Sequence, residues 1–377
     1  MTVRLAVLAD DATGANASAA ALAASLGRDV PVYDALPAVT TFPMVLNTQS
    51  REDVSRSGLV QTWARRLWEA GVRDFDKRID TTLRGPAPDE LQRLVAALPD
   101  TPWIGVVAAY PQAGRITRGG RQYLDGLPLA ERMAVDTDDL GTYLFGGEQS
   151  CRIVATHELS LPGLAEGLLT LGEPVIFDAE DDADLFRIAR VLRRVRRRWS
   201  GAMLTVTSGA VLHYYPAETD LHTAIIVGSP TAVNIAQVQR LRERLPTWCW
   251  PLEEPMLSER KPEDAVIVLH SGLQPVAHRD RRDLSGQLAT AALARLHELA
   301  KSEWVPERFI LTGGELSQAF LRQSGARGAI MHRLAAPLVG HGRIEGGRYA
   351  DRELLTKGGM VGQPNLLLEL VLTPPLR

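Results

Sequence analysis

The stretch Arg4–Asn16, RLAVLADDATGAN, decides the fold. Leu5–Ala9 is an unbroken apolar run, the signature of a strand buried on both faces. Asp10 and Asp11 follow at once, and Thr13 and Gly14 lead into an Ala-rich segment that predicts a helix through Leu26. A strand, two acids and a helix in that order put the acids at the carboxyl edge of an open α/β sheet, where such sheets bind ligands. Adjacent carboxylates repel, and water, a cation or a hydroxylated ligand must relieve the repulsion. From these residues alone, an ordinary βα turn with Asp as the helix cap reads equally well.

The rest of the chain narrows the choice. Its 377 residues suffice for two domains of ordinary size, and 45% hydrophobic with 23% charged residues is normal for a globular enzyme. A net charge of −3 argues against a nucleic-acid footprint. Cys151 and Cys249 have neither metal spacing nor a disulfide framework, so a reducing compartment is expected. With no signal-peptide pattern and no apolar run of membrane-spanning length, the expectation is a cytoplasmic protein without a membrane partner.

Polar clusters recur at predicted strand ends. Val30–Tyr33 and Phe42–Leu46 read as strands, and the second runs into Asn47-Thr48-Gln49-Ser50-Arg51, where an arginine suits a carboxylate or phosphate. A helix over Gly58–Ala70 follows from Leu59, Val60, Trp63, Leu67 and Trp68. The stretch Phe75–Gly85 crowds basic, acidic and hydroxyl side chains together before Pro86 and Pro88 open a helix over Asp89–Leu98. That helix start beside Arg84 is suited to an anion. Strand Ile104–Ala109 leads to a Gly- and Arg-rich loop, Tyr110–Gly120, and Tyr123–Leu129 reads as a turn with a short extension. Strands Arg152–Ala155, Pro174–Asp178 and Ala202–Val206 alternate with helices Gly163–Leu171 and Asp184–Trp199. The arginines of the last helix interleave with Leu185, Ile188, Val191, Leu192 and Val195, as on the solvated side of an amphipathic helix.

A polar segment, Pro216–Leu221, marks a boundary and places domains at 1–218 and 219–377. Beyond it, strand Thr223–Val227 ends in Gly228-Ser229-Pro230-Thr231 before helix Ala232–Arg244. Strand Ala265–Leu269 ends in His270-Ser271-Gly272, Gln274–Leu284 reads as loop, and Gly286–Ser302 as a long helix. Strand Phe309–Leu311 ends in Thr312-Gly313-Gly314-Glu315 before helix Leu316–Gln323, and Glu353–Thr356 runs into Lys357-Gly358-Gly359-Met360-Val361-Gly362. Glycine lets backbone approach phosphate closely, and helix starts supply N–H donors. Each turn alone is weak; three at strand ends of one domain point to a nucleotide. Neither the Walker pattern nor GxGxxG occurs at these places.

Read together, these motifs resemble the four-carbon acid sugar kinase family. Its DDxTGA turn is matched by Asp10–Ala15, and its SR element by Asn47–Arg51. Its K-x-DSTLRG motif is similar to Arg78–Gly85, and its P-x-x-GR-T-x-x-G-x-x-Y-x-x-G-x-P-L motif to Pro111–Leu129. In the second half, GSxS–Q, GGDTA and TKSGGFG resemble Gly228–Thr231 with Gln237 and Gln239 behind, Gly313–Ser317 and Thr356–Gly362. The resemblance implies an α/β protein of two domains, each a mainly parallel sheet flanked by helices, with the active site in the cleft between them. It implies that the first domain holds a small sugar acid and the second ATP, with Mg²⁺ accompanying the nucleotide; the metal's protein ligands and any homo-oligomer stay open. On this reading Asp11 or Asp80 takes the proton of the attacked hydroxyl, while Asp10, Arg51, Arg78, Thr81, Arg84, Gly85 and Arg115 bind the sugar acid. Ser229, Thr231, Gly313, Gly314, Glu315, Leu316, Lys357 and Gly359 bind the nucleotide. For Lys357, a surface side chain beside the site reads equally well.

The sequence departs from the family pattern at Arg78 for lysine, Thr81 for serine, Glu315 for aspartate and Gly358 for serine, and Met360-Val361 replace Gly-Phe. A family member that binds nucleotide or sugar acid without turnover is therefore the alternative to an active kinase. A Rossmann-type oxidoreductase, the third reading, lacks its glycine fingerprint after the first strand.

Overall fold

The computed structural model describes residues 4–38, 41–147, 149–161, 163–215, 221–228, 230–252, 266–272, 281–302, 304–373 and 375–376. The chain divides into two compact units, Met1–Glu218 and Thr219–Leu376.

The first unit runs β1 (Leu5–Ala9), α1 (Ala12–Leu26), β2 (Val32–Tyr33), β3 (Met44–Asn47), α2 (Leu59–Glu69), β4 (Asp74–Arg78), α3 (Ala87–Ala97) and β5 (Trp103–Val107). A small antiparallel sheet of β6 (Arg115–Arg118), β7 (Arg121–Leu124) and β8 (Leu127–Pro128) follows, then α4 (Leu129–Arg132) and α5 (Leu140–Phe145). The unit closes with β9 (Arg152–Val154), α6 (Leu164–Leu169), β10 (Val175–Phe177), α7 (Asp182–Arg198) and β11 (Met203–Thr207).

Eight strands form a parallel sheet in the order β2-β3-β1-β4-β11-β5-β10-β9. Strands β2 and β3 lie on one side of β1 and β4 on the other, so the order reverses at β1. Registers Ala9↔Asn47 and Leu8↔Lys77 then bring the segments after β1, β3 and β4 out of the sheet side by side. Local chemistry fixes the first turn: β1 is buried throughout, Asp11 accepts from the Gly14 N–H and starts α1, and left-handed Gly27 (φ 61°) ends it. Val60, Trp63, Ala64 and Leu67 of α2 and Leu91 and Leu94 of α3 pack in one core with Leu8, Leu46 and Phe75.

Strand β4 reads as charged in sequence yet lies in the middle of the sheet. Its side chains are satisfied in pairs. Asp76 accepts from the hydroxyls of Thr205 (2.7 Å) and Thr207 (3.1 Å) on β11, and Lys77 meets Glu90 of α3 at 2.8 Å, both fully buried. Thr48 and Ser50 donate to the same Glu90 carboxylate. This network ties the ends of β3 and β4 to the start of α3. Tyr123–Leu129, read as a turn and extension, is part of the β7–β8 ladder.

The second unit runs β12 (Thr223–Val227), α8 (Ala232–Arg244), β13 (Thr247–Pro251), β14 (Val266–His270), α9 (Arg281–Lys301), β15 (Arg308–Thr312), α10 (Gly314–Gln323), β16 (Gly328–Ala336), β17 (Val339–Glu345), β18 (Glu353–Lys357) and α11 (Leu366–Leu372). Its sheet order is β13-β14-β12-β15-β18-β17-β16, with β17 antiparallel to both its neighbours β18 and β16 and the other pairs parallel. Its first four strands thus repeat the order of the first unit, with β12 at the reversal. Residues 281–284, read as loop, are helical; residues 216–220 of the boundary segment and 274–280 of that loop lie outside the described residues. Far from the glycine turns, fully buried Arg308 pairs with Glu353 (2.6 Å) and donates to the carbonyls of Leu370, Val371 and Thr373. The other Glu353 oxygen meets His341 at 2.6 Å, which makes this histidine part of the lock between α11 and the sheet.

Candidate active site

At the reversal point of the first sheet, three carboxylates converge on one guanidinium. Arg51 grips Asp10 with two bonds, Nε to Oδ2 at 3.1 Å and Nη2 to Oδ1 at 2.8 Å. Its Nη1 lies 3.0 Å from Asp11 Oδ2 and 3.9 Å from Asp80 Oδ1. Asp10 is wholly buried, while the side chains of Asp11 and Asp80 keep 19% and 11% of their surface. Asp80 also accepts from Arg84 Nε (2.6 Å) and from the Thr82 hydroxyl (2.5 Å). Burial alone would push the Asp80 carboxyl up, but these donors and the neighbouring Arg51 charge hold it below the usual carboxylate range.

The backbone of the arginine loop is shaped for this cluster. Gly85 has φ 91°, and a Cβ there would lie 2.5 Å from Asp10 Oδ2. Only glycine meets both demands.

The remaining residues expected here take different positions. Arg78 is buried, one Nη donating to the Ile79 carbonyl, and its Nε has no partner among the described residues. Burial lowers the pKa of its guanidinium, opposed by the charges of Asp76, Asp10, Asp11 and Asp80. Thr81 is half-buried and its carbonyl accepts from Gln122 at 3.4 Å; the hydroxyl on Asp80 belongs to its neighbour Thr82. Arg115 turns back on the Ala113 carbonyl within its own loop. The glycine N–H groups of that loop are taken too, since Asp178 accepts from Gly119 (2.7 Å) and Gly120 (2.9 Å). Arg84 is the open arginine, its side chain 60% exposed. Beside Gly209, at the ends of β5 and β11, a cavity of about 340 Å³ is lined by Ala17, Gln112, Asp182, Ser208 and His213.

In the second unit the glycine turns are laced together. The Thr231 hydroxyl accepts from the Asn234 N–H (3.2 Å), capping α8, and donates to the Gly359 carbonyl (2.7 Å). Gln237 Nε2 donates to the carbonyls of Val361 and Gln363, each at 3.0 Å. The Gly313 N–H donates to the Lys357 carbonyl at 2.8 Å. Gly228 packs so tightly on the next turn that a Cβ would lie 2.8 Å from Leu316 Cδ2. The Leu316 side chain therefore belongs to the core, and a ligand here would meet its backbone. Gly314 and Glu315 are exposed in the first turn of α10, and Ser229 lies outside the described residues.

Lys357 is not a surface side chain. It is 3% exposed, its Nζ donates to Asn234 Oδ1 (2.8 Å) and the Gly358 carbonyl (3.0 Å), and burial brings its pKa down to about 8. A buried ammonium beneath a glycine turn, beside the start of α8, has the charge and placement that suit a phosphate.

Residues 5–215 match a family described as a sugar-binding N-terminal domain, and residues 224–367 one described as a nucleotide-binding C-terminal domain. The chain belongs to the four-carbon acid sugar kinase family. Similar proteins include the D-threonate kinase of Cupriavidus necator, 27% identical over 377 residues, covering 88% of each chain. The D-threonate kinase of Bordetella bronchiseptica is 25% identical over 347 residues, covering 83% of this chain and 80% of the relative. The D-erythronate kinase of Heliobacterium modesticaldum is 25% identical over 428 residues, covering 94% and 93%. A Bordetella bronchiseptica protein crystallised with citrate as a domain-swapped dimer shares the fold, with a TM-score of 0.68 at 23% identity over 99% of this chain and 98% of that one.

The sequence singles out the carboxylates and Arg51, which the structure brings together, but not their supports. Thr82, the Lys77–Glu90 pair and Asp178 were missed, because a side chain that serves the site from beneath leaves no signal of spacing. Among the described residues, no three His, Cys, Asp or Glu side chains are grouped to hold a metal, and no helix is long and apolar enough to cross a membrane.

Proposed function

We propose that the protein transfers the γ-phosphoryl group of ATP to a hydroxyl of a four-carbon sugar acid, the first unit binding the acid and the second the nucleotide. The observation that carries this reading is the convergence of Asp10, Asp11 and Asp80 on Arg51 at the sheet's reversal point. Short acids fixed in one place suit a polyhydroxylated ligand, and exposed Arg84 suits its carboxylate.

The three acids divide the work. Asp10 is buried and held by two bonds, so it positions Arg51. Asp80 is held ionised by Arg84, Thr82 and Arg51, which makes it an acceptor for a sugar hydroxyl and a weak base. Asp11 uses Oδ1 to cap α1 and offers Oδ2 from a partly exposed side chain. On this reading Asp11 takes the proton as the sugar oxygen attacks the γ-phosphorus, the β,γ-bridging bond breaks, and ADP leaves. The nucleotide enters as its Mg²⁺ complex, whose metal is ligated mainly by phosphates and water. Its phosphates meet the turns 313–316 and 357–359, with Thr231 and Lys357 behind them. The relatives named D-threonate and D-erythronate kinases support this substrate class. Two free cysteines fit a reducing cytoplasm, and the domain-swapped relative supports a homo-oligomer.

A coupled ADP-release assay with Mg·ATP across four-carbon sugar acids tests the proposal. Turnover on one acid, reduced at least a hundredfold in Asp11→Ala and in Asp80→Ala, is the expected result. ATP binding without turnover on any acid would instead identify a family member that has lost the reaction.

A further inference from the structure

Tyr143 lies outside every motif named above. It sits on α5, whose start is fixed by Asp139 accepting from the Thr142 N–H at 2.8 Å, and its ring packs against the core of the first unit. Its hydroxyl oxygen is buried and has no hydrogen-bond partner among the described residues. Burial raises the phenol pKa, and the charges of Asp10 and Asp80 raise it further, with Arg51 opposing. The hydroxyl therefore stands within the field of the acid cluster and stays protonated at neutral pH.

A buried hydroxyl without a partner is destabilising, and phenylalanine would fill the same space without that cost. The neighbouring carboxylates do not meet the need, since Asp10 is gripped by Arg51 and Asp80 by Arg84 and Thr82. A hydroxyl with no partner among the described residues, on which the charges of Asp10, Asp80 and Arg51 act, is suited to read a ligand held by those residues.

We infer that Tyr143 is a specificity-determining residue, its O–H donating to an oxygen of the sugar acid bound at the Asp10–Asp11–Asp80 cluster. The inference rests on the proposed sugar-acid site. A donor built to meet an oxygen discriminates strongly against an analogue that lacks it, because the donor is then left unpaired.

Calorimetric binding of D-threonate, D-erythronate and their monodeoxy analogues to the wild-type chain and to Tyr143→Phe tests it. The expected result is about tenfold weaker binding of the preferred acid to Tyr143→Phe. One deoxy analogue binds both proteins equally, and the melting temperature does not fall. Equal affinities of the two proteins across the panel overturn the role of Tyr143 and leave the kinase reading standing. If the wild-type chain binds no acid of the panel, the sugar-acid site fails and the inference with it.

Discussion

Lys357 should make the second unit more stable in alkali. Its ordinary pKa of 10.5 falls to about 8 on burial, and no carboxylate among the described residues offsets the loss of hydration. At about 1.4 kcal/mol per pH unit, holding this ammonium charged inside the fold costs about 3 kcal/mol. The sign follows from proton binding. Below pH 8 both the folded and the unfolded chain carry the charge, and the whole cost is present. Between pH 8 and 10.5 the folded chain has shed a proton that the unfolded chain retains, so the cost is lifted as pH rises. Hydrogen exchange read on peptides of β15 and β18, corrected for intrinsic rates, should show opening free energies that climb by up to about 1.4 kcal/mol per unit between pH 8 and 9.5. Lys357→Met should abolish the climb. Equal slopes in the two proteins would refute the assignment. A phosphate seated at the ammonium restores its charge, so Mg·ATP binding at pH 8.5 should take up a proton, visible as a buffer-dependent heat. No uptake would make Lys357 a strut between Asn234 and Gly358 and nothing more.

Two further substitutions separate site geometry from stability. Gly85→Ala adds a Cβ 2.5 Å from Asp10 Oδ2 at φ 91°, so steady-state kinetics should show kcat/KM down at least about tenfold, with thermal unfolding moved by only a few degrees. Glu90→Gln leaves the fully buried Lys77 without a counter-charge, and a loss of about 3–5 kcal/mol should appear as a drop in melting temperature of roughly 10 °C. Adding Lys77→Met should recover part of that drop; no recovery would mean that the Thr48 and Ser50 hydroxyls, not the ion pair, carry the loss.

The parts of the fold legible in sequence were those whose cause is local. Leu5–Ala9 is apolar because both its faces are covered, and Asp11 announces α1 because it caps it. Strand β4 was illegible for the opposite reason: Asp76, Lys77 and Arg78 are buried only because β11 and α3 bring Thr205, Thr207 and Glu90 to meet them. No periodicity records such distant partners. The insertion of β11 between β4 and β5 has the same character, since 129 residues of sequence separate the paired positions Asp74 and Met203. The β16–β17 hairpin was missed because its outer strand leaves Ile330, Met331 and Leu334 exposed, so no alternation of polar and apolar residues marks it. In the site, the carboxylates stood out by type and spacing, whereas Tyr143, the residue inferred to read the ligand, lies on a short helix more than 60 residues beyond Asp80.

The repeated order of the first four strands makes the molecule modular. In both units the scaffold is the same up to the residue at which the first strand ends, and the chemistry is written in the few residues beyond it. Asp10 and Asp11 stand at that position in one unit; Gly228, followed by the cap Thr231, stands there in the other. On the proposed assignment, acceptor preference can drift through loop residues 47–51 and 80–85 while the nucleotide-binding half stays unchanged, and a library meant to create new acceptors belongs in those two loops, not in the sheet that carries them.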